Sequence, residues 1–153
     1  MRRALLAVLL LLCPSLVRAQ DTGVLTQPSR HGFEETLTRL EAAVRQAGLR
    51  VFTRLDHAAA AREAGLAMPP TTVLVFGNPA AGTPLFLRQP TLALDLPLRA
   101  LVWQDQQGRV SVSWNTAAYL LGSVYPRHGI HPDAAAIAGM EQVLARIVTQ
   151  AVE

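Results

Sequence analysis

The chain has 153 residues, 14 arginines and no lysine, 11 acidic residues and one cysteine, Cys13. A lone cysteine excludes a disulfide framework and a thiolate metal site. The formal charge of +3 owes itself to Arg2, Arg3 and Arg18, and without them arginines and acids balance, which excludes a basic surface for nucleic acid or anionic lipid.

Those three arginines belong to an export signal. Arg2 and Arg3 precede the unbroken apolar run Ala4 to Leu12, which is shorter than the ~20 residues that span a bilayer. Val17-Arg18-Ala19 then offers a small residue at the cut, so residues 1–19 are expected to be a cleavable signal peptide. Leu12 stands where a lipidated cysteine would need a small neighbour, so Cys13 is not expected to be an anchor. Residues 20–153 form one expected domain of about 134 residues, enough for a hydrophobic core. Its expected place is the bacterial periplasm, with no stable membrane anchor after cleavage.

Along that domain, Asp21 to Thr26 predicts an opening strand, broken by Pro28. Phe33, Leu37, Leu40, Val44 and Ala47 recur at helical spacing, with Glu34 and Glu35 in the first turn and Gly48 past the end, predicting a helix over 33–47. Leu49 to Leu55 predicts a strand running into Asp56, the expected cap of a helix from His57 to Ala64. Pro69 and Pro70 stop any helix, and Thr71 to Phe76 reads as an apolar, β-branched central strand. Asn78 and Pro79 mark the start of a helix over 79–88. Leu98–Gln104 and Val110–Trp114 flank Asp105-Gln106-Gln107-Gly108 as an antiparallel hairpin, on which Trp103 and Trp114 are expected to pack as a cross-strand pair. A short helix over 116–124, a loop from Tyr125 to Pro132 and a final helix capped by Asp133 complete the chain. Early strands alternate with helices and late strands pair directly, so the expected class is α+β: a two-layer sandwich, an antiparallel or mixed sheet with helices packed on one face.

Several of these motifs occur together in one family. Gln46-Ala47-Gly48-Leu49, Leu55-Asp56-His57 with the following alanines, Val75-Phe76-Gly77-Asn78-Pro79 with Gly82-Thr83-Pro84-Leu85, and Leu94-Asp95-Leu96-Pro97-Leu98 follow one another in the order of the domain of unknown function family 302, which the chain resembles over roughly residues 32–125. The resemblance implies a compact two-layer α+β fold and no agreed reaction or ligand; the final helix lies largely outside it. A fold without a site assigns no function.

Four residues stand out as ligand-binding candidates: Asp56, His57, Asn78 and Asp95. His57 at a strand-to-helix junction is the candidate general base, with Asp95 or Glu63 as its partner; the plainer reading makes Asp56 a cap and His57 a hydrogen-bonding residue. Asn78 begins a helix, where backbone N–H groups favour anions, or simply caps it. Asp95 between leucines needs a partner, for which His57, Arg99 and the Asn78 turn are the candidates. His128 and His131 sit three apart, but Gly129 and Pro132 argue against the helix turn a metal would need, so neither a metal nor a cofactor is expected.

Three functions remain open. The first is a module binding a small ligand or protein partner. The second is a small periplasmic enzyme using His57 with Asp95 as an acid/base pair. The third is a structural domain, a homodimer formed through the exposed edge of the hairpin.

Overall fold

A computed structural model describes residues 22–153; the expected signal segment lies outside them. Five strands, β1 (Val24–Pro28), β2 (Arg50–Asp56), β3 (Thr71–Gly77), β4 (Leu98–Gln104) and β5 (Val110–Asn115), form an open sheet in the order β1-β5-β4-β3-β2. Every neighbouring pair is antiparallel. Register sends alternate residues to one face: Leu74 lies beside Ala100, Ala100 beside Trp114, and Val102 beside Val112. These side chains are buried beneath two helices, α1 (Phe33–Gln46) and α5 (Ala134–Val152).

The helical spacing explains that layer. Leu37, Leu40 and Val44 of α1 and Leu144, Ile147, Val148 and Ala151 of α5 are the buried stripes, and they join Phe76, Val102 and Val112 in one core. Each large apolar side chain so covered contributes roughly 1.5–3 kcal/mol. α1 is also tied to β2 by Glu41, which accepts from Arg54 Nε at 2.5 Å and from Arg45 at 3.0 Å. The Arg54 hydrogen bond, ahead of burial, sets the direction for Glu41 and holds its carboxyl below the usual range.

Asp105 accounts for the hairpin turn. Its carboxylate accepts the backbone N–H groups of Gln107 and Arg109, each at 2.9 Å, and the Arg109 Nε at 2.7 Å. Gly108, at φ +81°, supplies the left-handed residue the turn requires.

The α+β class, the antiparallel sheet and the helical layer match the sequence expectation; several details differ. Both hairpin strands are paired on both sides, so the free edges belong to β1 and β2, while β3 lies inside the sheet as expected, next to the middle strand β4. Pro28 ends the first strand from inside it, as an edge position allows. Trp103 lies beside Ser111 and Trp114 beside Ala100, on opposite faces, so the two indoles do not form a pair. Trp114 is buried, whereas Trp103 donates to Ser113 Oγ at 2.9 Å on the other face. The expected helix over 116–124 is one turn, α4 (Ala117–Tyr119), followed by a wider π turn over Leu120–Val124, and the expected loop contains a 3-10 turn over Pro126–His128.

Candidate functional site

The sheet has a chemically distinct end where β2 and β4 begin and β3 finishes: Arg50 lies beside Gly77 and Leu98 beside Phe76. Beyond it, α3 (Pro79–Arg88) and a 3-10 helix over Pro90–Leu94 cross before the chain re-enters the sheet. Asn78 starts α3, its side chain accepting from the N–H of Ala80 at 3.0 Å and of Ala81 at 3.3 Å. Pro84 then sits inside the helix. α3 has no buried residue, so it stands as a wall rather than packing down as a lid.

Between that wall and α5 is a cavity of about 280 Å³. Leu85 and Phe86 of α3 line one side, Phe52 and Gly77 the sheet end, and Gly139, Met140 and Val143 the facing helix. Leu96, Pro97 and Tyr125 close the remainder. No acidic or basic side chain is among the lining residues, and Asn78 and Tyr125 carry its polar side chains. Burial raises the Tyr125 phenol above its usual range, so it stays neutral. Glycines stand among the lining residues. A Cβ at Gly139 would meet nothing within 4 Å, and one at Gly77 would just touch Phe52 at 3.4 Å. Phe52 itself is 43% exposed, at the irregularity that interrupts β2 between Val51 and Thr53.

Behind the cavity wall lies a polar cluster. His128 is buried, its Nε2 2.5 Å from Asp95 Oδ2 and its Nδ1 2.9 Å from Thr91 Oγ1. Arg127 Nε stands 3.6 Å from the same carboxylate oxygen. The His128 hydrogen bond, and after it the positive charges of Arg127 and Arg99, hold the Asp95 carboxyl below the usual carboxylate range against the opposing effect of desolvation.

Of the four residues singled out from sequence, only Asn78 lines the cavity, and its carboxamide oxygen is committed to capping. Asp95 is next to the lining residues Leu96 and Pro97 but takes His128 as its partner. Asp56 and His57 are at the opposite end of the sheet: Asp56 lies beside Thr72, whereas Leu98 lies beside Phe76, about 13 Å further along β3. Asp56 caps the helix α2 (His57–Glu63) by accepting the Ala59 N–H at 2.8 Å, and His57 is exposed. The structure therefore does not bring His57 to Asp95. His128 and His131 do not form a metal-ligating pair, since both His128 nitrogens are engaged, and no group of three or more His, Cys, Asp or Glu suited to a metal occurs among the described residues. The sequence reading missed the cavity because apolar lining side chains look like core; the one signal was Gly139, a glycine in the middle of a helix.

The domain of unknown function DUF302 has a family model that matches residues 25–150. A solved structure, that of an uncharacterized conserved DUF302 protein from Bacillus stearothermophilus, superposes with a TM-score of 0.70 at 22% identity, covering 85% of this chain and 98% of that one. Among curated proteins, the chain is 46% identical over 107 residues to the fluoride-specific ion channel FluC 1 of Brucella suis, a match covering 70% of this chain and 42% of that protein. The FluC 2 protein of Brucella melitensis matches at the same identity over 40% of its length. The chain thus spans about two-fifths of the curated relatives it matches.

Proposed function

We propose that this chain, which belongs to the DUF302 family of domains of unknown function, is an exported module that binds a small, uncharged, largely apolar molecule in the cavity between α3 and α5. The observation that carries the reading is the cavity's composition: apolar walls with no charged side chain. At about 280 Å³ it is nearly twice the roughly 150 Å³ of an engineered apolar cavity that takes benzene, and so suits a substituted ring or a short acyl chain. A carboxylate there would lose its hydration with no opposite charge among the lining residues to compensate, which sets neutral ligands above their acids. Met140 and Phe86 give the walls some adaptability.

The test is a thermal-shift panel pairing neutral aromatic and short-chain esters, alcohols and amides with the matching carboxylates. A neutral ligand at 100 times its dissociation constant stabilises the fold by about 2.7 kcal/mol, and Gly139→Leu, which projects into the open space, abolishes the shift without unfolding the protein. A flat response across the panel, or one unchanged by Gly139→Leu, removes the reading. Export is tested separately, by fractionating cells that express the full chain; recovery of a shortened form from the periplasm supports it, and retention at full length in the cytoplasm sinks it.

A second reading comes from the relatives. Their matching stretch belongs to proteins named fluoride-specific ion channels and more than twice as long as the match, so this domain also suits work beside such a channel. A strain lacking the gene would then show altered growth inhibition by fluoride; identical inhibition of the two strains removes this reading.

A further inference from the structure

Thr91, His128 and Asp95 form a hydroxyl–imidazole–carboxylate chain that helix capping and core packing do not explain. Asp95 is an anion and can only accept, so Nε2 of His128 donates across the 2.5 Å contact, and in the tautomer with its one proton there Nδ1 accepts the Thr91 hydroxyl at 2.9 Å. The imidazole is buried, its side chain 5% exposed, and so fixed in orientation. Thr91, by contrast, is exposed. A hydroxyl on an exposed residue, a base within hydrogen-bond reach and a carboxylate orienting that base are the three parts that activate an alcohol as a nucleophile. Two neighbours add to the arrangement. Thr91 and Leu94 are three apart in a 3-10 helix and so share one face, and Leu94 is 75% exposed, an apolar surface directly beside the hydroxyl. Arg127, next to His128 in the chain, stands 3.6 Å from the Asp95 carboxylate and helps hold that carboxylate in place.

We propose that Thr91 is the nucleophile of an esterase site acting on small uncharged carboxylic esters, with His128 as general base and Asp95 as the positioning residue. Thr91 Oγ1 forms a bond to the ester carbonyl carbon while its proton passes to His128 Nδ1. Collapse of the tetrahedral species breaks the bond to the leaving alkoxide, which takes that proton from Nδ1 and departs as an alcohol. Water, deprotonated by the same nitrogen, then attacks the acyl-threonine and releases the carboxylic acid and the free hydroxyl. Leu94 carries the acyl chain, and Arg127 helps fix the Asp95 carboxylate. This site is separate from the apolar cavity, and neither reading depends on the other.

The experiment uses p-nitrophenyl butyrate with the intact protein, following nitrophenolate release and the mass of acid-quenched protein. The expected result is saturable hydrolysis with an acyl adduct on the peptide containing Thr91. Thr91→Val, nearly isosteric and on the surface, lowers kcat/KM roughly 10²–10⁴-fold and removes the adduct, while Thr91→Ser retains both. Asp95→Asn lowers kcat with KM little changed. His131→Ala, which removes an exposed imidazole, leaves the rate unchanged and so separates the site from bulk imidazole catalysis. Hydrolysis at the wild-type rate by Thr91→Val, an adduct on another residue, or no turnover by the folded wild-type protein would overturn the assignment.

Discussion

The Asp95 carboxylate and the His128 imidazole, 33 positions apart in the chain, meet at 2.5 Å and so fasten the 3-10 helix before β4 to the turn after the π segment. Because the folded carboxyl is held below its usual range, the contact contributes stability above the unfolded value, near ~3.9, and loses it as pH falls through the folded one. Asp95→Asn is therefore expected to lower the melting temperature at pH 7, with the difference from wild type shrinking as pH falls below the unfolded value. A difference that stays constant down to pH 2 would show that the charge on Asp95 is not what holds the two segments.

Gly139 separates binding from stability. Replacing a mid-helix glycine by alanine gains about 0.5–1 kcal/mol of helix propensity, and here the new methyl meets no atom within 4 Å. Gly139→Ala should raise the urea midpoint of unfolding by that equivalent while reducing the affinity of the largest ligands in the panel. A lower midpoint would mean the glycine is needed for helix packing instead.

Gly23 allows no such exchange. It has φ +72°, and a Cβ there would lie 2.5 Å from Tyr119 Cγ, while its carbonyl accepts the Thr116 N–H at 2.9 Å. Gly23→Ala is expected to cost at least about 2 kcal/mol from conformational strain and overlap together. Tyr119→Ala in the same chain removes the ring but keeps the Cβ, which the new methyl would meet at 2.7 Å, so it should recover only part of the overlap, a non-additivity that a double-mutant cycle measures.

Glu41 and Arg54 tie α1 to the β2 edge, but Arg54 is 42% exposed and solvent weakens the pair. A double-mutant cycle with Glu41→Gln and Arg54→Met should give a coupling of about 0.5–1 kcal/mol, falling in 1 M salt. A coupling of zero would leave the tie to the apolar contacts alone.

Periodicity and punctuation made most of the fold readable. α1 and the hairpin were legible because Leu37, Leu40 and Val44 repeat at helical spacing and Asp105 to Gly108 have turn chemistry. Strand order was not, since local pattern carries no information on which neighbour Val73 or Leu101 pairs with; the apolar character of β3 marked it as interior, as it is, but not its place beside β4. The candidate site was half legible. Asp95 was singled out as a carboxylate that needs a partner, but the partner lies across a π turn whose geometry no residue type announces. His57 drew attention by adjacency to Asp56, yet adjacency in a cap places the two side chains at the far end of the sheet from Asp95.

The open sheet also leaves β1 and β2 each with one side unpaired. An unpaired strand is a template for another chain's strand, and both ends of this sheet offer one. On β2 the register is interrupted between Val51 and Thr53, and Arg50 and Arg54 flank the interruption, so an incoming strand would meet a twisted backbone and two charges. On β1 the strand is five residues long and finishes in Pro28, which has no N–H to offer. Fibril formation through the edges is thereby disfavoured at both ends, and a sequence that straightened β2 or replaced Pro28 would be expected to aggregate before it lost its fold.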